Sequence, residues 1–255
     1  GACSNKKVNS LLPDLNDVDE MILKRKIDSS FYNVETMNAT ACVIDATFYV
    51  PANTLGTLIR LKRWIRNLKK IGANSAQGVA LKGDLGTAEG AFIIKAPKND
   101  HHNDDIVHES VVSLYGTNKL RSHVPNFVYC YVAFSCASPI ISPDNHVPSW
   151  CIGSGKVTYM ITENIYPSVS YKDYLMKASS EEFLCSYLQV LYALNEACKR
   201  IDFTHYDLHT ENVLMREYTE DEYFQIPYNT ERGLEYLFYN RIATIIDCGF
   251  YTFNI

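Results

Sequence analysis

The apolar positions of this 255-residue chain change period along its length, and each period predicts an element. The longest regular pattern is Phe183, Leu184, Tyr187, Leu188, Leu191, Tyr192, Leu194, Cys198 and Ile201. Steps of three and four predict a helix that buries this face, and Ser179 with Glu182 ahead of it form a capping box. Shorter helical patterns run through Val18, Met21, Ile22 and Ile27, through Leu55, Leu58, Leu61, Trp64, Ile65 and Leu68, and through Ile106, Val107, Ser110, Val111 and Leu114. Residues 170–177 read as one further short helix.

Between these lie short apolar runs with turn residues at their ends, which predict strands. They are the two arms of KKIGANSAQGVALKGDLG, Gly90–Lys95, VPNFVYCYVAF at 124–134, KVTYMITE at 156–163, Val213–Met215 and Ala243–Ile246. The last two are expected to pair. Residues 217–240 are acidic and tyrosine-rich, which predicts a solvated insertion with LEYLFYN as a short helix. The whole is an α+β pattern.

Composition narrows the classes. An apolar fraction of 47% with 21% charged residues is that of a globular chain. The net charge of −5 argues against nucleic acid as the main partner. No apolar run approaches the roughly 18 residues of a membrane span. The basic helix around residues 55–70, with six Lys or Arg, is read as a solvated face docked on the acidic remainder of the chain. Eight cysteines form no CxxC pair and several sit in apolar patterns, so reduced core thiols in an intracellular, cytoplasmic setting are expected. Gly1 and Cys3 would be lipid acceptors only if a methionine had been removed, and Ser4 is one place early for that motif.

The chemistry-bearing residues concentrate in IDFTHYDLHTENVLMR, where the long helix gives way to a strand. Asp207 is a carboxylate able to take a proton, and Asn212, five residues on, carries an amide oxygen suited to a hard cation. The Ala243–Ile246 strand ends in Asp247, Cys248 and Gly249. Upstream, the Gly90–Ile94 strand ends in Lys95, and Glu109 follows fourteen residues later on a predicted helix. His205 and His209 with Cys198 fit no common zinc spacing.

Lysine, glutamate, an HxDxxxxN loop and an aspartate-x-glycine, in that order, resemble the protein-kinase-like superfamily. The phrases KIGANSAQGV, THYDLHTENVL and DCG look most like the divergent kinase-like proteins of large DNA viruses. The resemblance implies a two-lobed fold: an N-terminal helical extension over 1–68, a β-rich small lobe to the hinge over 69–165, and a partial helical large lobe over 166–255. It implies ATP and Mg²⁺ as cofactors and transfer to a Ser or Thr hydroxyl of a protein substrate. Lys95, held by Glu109, would contact the phosphates, and Asp207 would act on the acceptor. Asn212 and Asp247 would hold the metal. Gly72, Ser75, Gly78 and Val79 would form the nucleotide-covering turn, with Thr162 as gatekeeper and Glu163 to Ile165 meeting adenine.

Two departures leave alternatives open. His209 stands where Ser/Thr kinases usually have lysine, which also looks like small-molecule phosphotransferases of the aminoglycoside and choline type. The sequence runs only six residues past Gly249, without an activation segment or helical platform. A nucleotide-binding pseudokinase or scaffold is therefore a further reading, with a homo-oligomer or a partner completing the large lobe.

Overall fold

A computed structural model describes residues 65–72, 78–85, 88–97, 102–121, 123–137, 141–147, 157–217, 224–247 and 251–252. The patterns at 18–27 and 55–64, and the N-terminal extension up to residue 64, lie outside these residues. The described residues fall into two compact units. One holds those up to Ser110 together with Cys130–Asn164, and the other holds Val111–Tyr129 and those from Ile165 onward.

The first unit is built on a five-stranded antiparallel sheet of order β1-β2-β3-β5-β4. Its strands are β1 (Ile65–Ile71), β2 (Gly78–Leu85), β3 (Ala88–Pro97), β4 (Cys130–Cys136) and β5 (Val157–Glu163). Burial of Phe92, Ile94 and Ala96 follows the period of two that a half-covered strand requires. Helix α1 (Asn103–Val112) continues through a π-helical turn at Ser113–Thr117 and a last turn at Asn118–Leu120.

The reading of Ile65 and Leu68 as the end of a helix is corrected by β1. Both side chains are buried although three residues apart. The pairing of β1 with β2 shifts between Arg66 and Lys69, and Asn67 sits at φ 53. A bulge with one residue in the left-handed region adds the extra step, and it imitates the helical spacing of three. The strand expected from Val124 begins only at Cys130, because Val124–Tyr129 is an irregular buried run whose Phe127 makes a single bridge to Ile245. Cys130 is a free thiol, whereas Cys136 at the half-buried end of β4 is disulfide-bonded, with its partner outside the described residues. The expectation of uniformly reduced cysteines is corrected there.

In the second unit, β6 (Ser168–Ser170) and helix α2 (Tyr171–Leu175) precede helix α3 (Ser180–Ile201). The Ser179 capping box is complete, with Oγ accepting from Glu182 N–H and the Glu182 carboxylate accepting from Ser179 N–H. Strands β7 (Thr204–His205), β8 (Val213–Glu217), β9 (Phe224–Thr230), β10 (Gly233–Tyr239), β11 (Arg241–Ile245) and β12 (Tyr251–Thr252) follow. β8 pairs with β11 as expected, in a sheet of order β11-β8-β6, and β7 pairs with β12.

Two expectations are overturned here. The buried residues of α3 are Ser186, Gln189, Val190, Ala193, Glu196 and Ala197, while Phe183, Leu184, Tyr187 and Leu191 are exposed. The small face packs because Gln189 satisfies backbone that would otherwise be stranded: it accepts from Ala243 N–H at 2.9 Å and donates to the Arg241 carbonyl at 3.0 Å. The supposed solvated insertion is the β9-β10 hairpin, and LEYLFYN is strand rather than helix. Ile226, Tyr228 and Tyr239 enter the unit's core. Burying such a side chain stabilises by about 1.5–3 kcal/mol, which explains why an acidic, tyrosine-rich stretch is not left in solvent.

Candidate functional site

In the first unit, the alternation that buries Phe92 and Ile94 turns Lys95 to the opposite face of β3. There Lys95 Nζ donates to Glu109 Oε1 at 2.6 Å. The carboxylate is 4% exposed and the lysine 20%, so this is a charge-assisted bond sheltered from solvent. The expected ion pair is present. Val79 and Ala80 pair with Ala96 and Lys95, which places the start of β2 directly beside the lysine. A Cβ on Gly78 would lie 2.7 Å from the Ala96 carbonyl oxygen, so the approach of β3 itself requires glycine there. Gly72 ends β1 at φ 72, and Ser75 lies outside the described residues. Thr162 and Glu163 close β5 and are buried, with Glu163 paired to Phe92.

The remaining predicted residues belong to the second unit. Ile165 is buried, and its carbonyl accepts from Ser168 Oγ at 2.6 Å. Asp202, at φ 48, ends α3 and turns the chain into the loop that carries Asp207. Asp207 is exposed. Asn212 ties the loop together: its Nδ2 donates to the Asp207 carbonyl at 2.9 Å and its N–H to the His209 carbonyl at 2.9 Å. Ile246 N–H in turn donates to the Asn212 carbonyl at 2.9 Å, which brings the residue before Asp247 against the loop. Asp247 sits just past β11 at φ 61, in the left-handed region that costs an L-residue about 1–2 kcal/mol.

His205 accepts from Asp207 N–H at 3.3 Å. Burial pushes its pKa below the usual histidine range, against the opposing pull of the Asp247 and Asp207 carboxylates. The sequence did not single out Lys172, whose ammonium lies 3.1 Å from the Glu211 carboxylate and ties α2 to the loop. Only its basic character beside an acidic loop signalled that pairing.

The donor set suits a hard cation. With Nδ2 committed to the Asp207 carbonyl, Asn212 is left with Oδ1, the atom that Mg²⁺ takes. Among the described residues no three His, Cys, Asp or Glu side chains gather into a metal site. Asn212 and Asp247 are the residues that would hold such a cation.

Comparison with known proteins adds one alignment. The chain is 26% identical over 156 residues to "Probable kinase 098L" of Invertebrate iridescent virus 3, covering 61% of this chain. The similarity is to a probable viral kinase, and it spans only 26% of that relative's length. The organisation is α+β, with a five-stranded antiparallel sheet in one unit and the long helix in the other. A solved structure described as PF14_0431, kinase domain, aligns with a TM-score of 0.48 at 17% identity, over 75% of this chain and 54% of that one. No protein-family model matches. No helix among the described residues is long and apolar enough to cross a membrane.

Proposed function

We propose that this kinase-like chain is an ATP- and Mg²⁺-dependent phosphotransferase whose acceptor is a Ser or Thr hydroxyl of a protein. The observation that carries the reading is the Lys95–Glu109 pair: a lysine at a strand end, oriented by a nearly buried glutamate and still one-fifth exposed. A cation so held neutralises phosphate charge without having to reorganise. Asp247 and Asn212 would hold Mg²⁺, which when bound supplies charge neutralisation on the phosphates. Asp207, exposed and fixed through its own backbone by Asn212, is free to orient an acceptor hydroxyl and take its proton. An intracellular site of action belongs to this reading.

The test is transfer of radiolabelled phosphate from ATP by the parent, Lys95→Ala and Asp207→Ala, with a rise in melting temperature on adding ATP and Mg²⁺ as the binding readout. Turnover by the parent and its loss in both variants supports the reading, and equal turnover in all three overturns it. A melting shift without turnover selects a nucleotide-binding pseudokinase. His209 favours a second reading, transfer to a small hydroxylated molecule, and a panel of metabolite and protein acceptors assayed side by side separates the two.

A further inference from the structure

The loop between α3 and β8 contains two histidines held in the same manner. Asp207 N–H donates to Nδ1 of His205 at 3.3 Å, and Glu211 N–H donates to Nδ1 of His209 at 3.2 Å. In each case the backbone two residues on closes a small turn against the ring. A ring nitrogen that accepts carries no proton, and in a neutral imidazole the proton then sits on the other nitrogen. Both rings are therefore Nε2–H donors, and the backbone fixes this. Their surroundings differ: the His205 ring is half-buried, while His209 Nε2 lies 3.9 Å from Asp207 Oδ2.

We propose that His209 is a positioning residue for Asp207, a neutral donor that draws Oδ2 toward itself and leaves Oδ1 directed to the acceptor hydroxyl. This rests on the phosphotransfer reading of Asp207. At 3.9 Å the two side chains are neighbours that are not hydrogen-bonded. A small rotation of Asp207, whose side chain is 54% exposed, closes the gap when the acceptor arrives. Backbone contacts hold the two groups in register: Asn212 N–H on the His209 carbonyl, and Asn212 Nδ2 on the Asp207 carbonyl. The Lys172–Glu211 pair steadies the residue whose N–H sets the tautomer. A lysine at 209 has no acceptor atom for the Glu211 N–H, so it would be aimed by its own flexible stem alone. The same geometry excludes His209 as the proton acceptor or a metal ligand in its neutral form, because one nitrogen is occupied and the other protonated.

The experiment has two arms on the full chain. The first is long-range ¹H–¹⁵N correlation of the histidine rings at about pH 8.5, where ordinary histidines are neutral. The expected result is an Nε2–H pattern for His209, assigned by its loss in His209→Gln, with the Nε2 resonance shifted in Asp207→Asn. The second is turnover in His209→Gln, whose side-chain NH₂ reaches about as far as Nε2, against His209→Asn, whose NH₂ reaches only as far as Nδ1. Gln is expected within about 3-fold of the parent, and Asn and Ala about 10-fold lower in kcat with the ATP KM unchanged, a loss confined to the chemical step. An Nδ1–H pattern, or parental kcat in His209→Ala, overturns the proposal. If no form of the chain turns over, the phosphotransfer reading fails by itself; the first arm still decides the contact, and an unmoved His209 Nε2 resonance in Asp207→Asn overturns it.

Discussion

Tyr228 donates its hydroxyl to Oδ1 of Asn126 at 2.8 Å, across 102 residues of chain and wholly inside the second unit. Asn126 spends its Nδ2 on the Ala243 carbonyl at 2.8 Å and on Gln189 Oε1 at 3.3 Å, and its carbonyl accepts from Ile245 N–H at 2.7 Å. One amide thus joins the β9-β10 hairpin and α3 to the strand that leads into Asp247. Removing the tyrosine hydroxyl strands Oδ1 in a site with no water access. Tyr228→Phe is expected to cost about 1–3 kcal/mol, the penalty of an unmade buried bond. Urea denaturation checks it, with Tyr236→Phe as control: Tyr236 is 48% exposed on the outer face of β10, and its change stays within about 0.5 kcal/mol.

The Lys95–Glu109 pair is strongly unequal in burial, and that inequality predicts an order of effects. Replacing Lys95 with Met leaves a nearly buried carboxylate without its cation and is expected to destabilise by about 3–5 kcal/mol. Lys95→Met with Glu109→Leu removes both charges together and recovers most of the loss, because an apolar pair of similar volume has no desolvation to offset. Chemical denaturation of the two single variants and the double variant measures the coupling. A double variant no more stable than Lys95→Met alone would show that the pair is not what holds α1 to β3.

How much was readable in advance depends on where the determining interaction lies. The elements that carry Lys95, Glu109, Asp207, Asn212 and Asp247 were legible because each residue follows a local pattern, a strand end or a helix end, whose type the nearby residues decide. The capping box was legible for the same reason. The burial of α3 was not. Its apolar stripe is exposed at Phe183, Leu184, Tyr187 and Leu191, and the packed face is chosen by Gln189, whose partners Asn126 and Ala243 are more than fifty residues away. The β9-β10 hairpin was missed because Leu237 and Tyr239 face inward only once β9 supplies the pairing partner, and a lone strand pattern with outward Leu234, Tyr236 and Phe238 shows no alternation.

The start of α3 carries a pH dependence with a definite sign. The Glu182 carboxylate accepts from Ser179 N–H at 2.8 Å, with the Arg241 guanidinium 3.2 Å away, and these hold its carboxyl below the usual glutamate range. A carboxyl depressed in the folded state stabilises fully above its unfolded pKa and loses that contribution as pH falls through the folded value. Glu182→Ala is therefore expected to cost about 1 kcal/mol at pH 7, the size of a lost cap, and the gap to the parent should close as the medium is acidified below the ordinary glutamate pKa. Paired urea titrations at several pH values read the difference directly. A gap that stays constant down to pH 3 would assign the cost to packing of the side-chain stem.

Asn67 is where a bulge imitates a helix, and its side chain explains why the bulge is stable. At φ 53 most L-residues are strained, but asparagine adopts this region more readily, and here its Nδ2 donates to Asp84 Oδ2 at 2.7 Å. The other oxygen of Asp84 accepts from Gly90 N–H at 2.6 Å, so a single carboxylate fastens the bulge of β1 to the start of the lysine strand. Asn67→Ala loses the bond and keeps the strain, which sums to about 1–2 kcal/mol. Asn67→Gly loses the bond but relieves the strain, and is expected within about 0.5 kcal/mol of the parent because the contact is solvent-exposed. A bulge that instead relaxed into regular pairing in Asn67→Ala would return Leu68 to the opposite face, and amide exchange along β1 would show the altered register as a new pattern of protected residues.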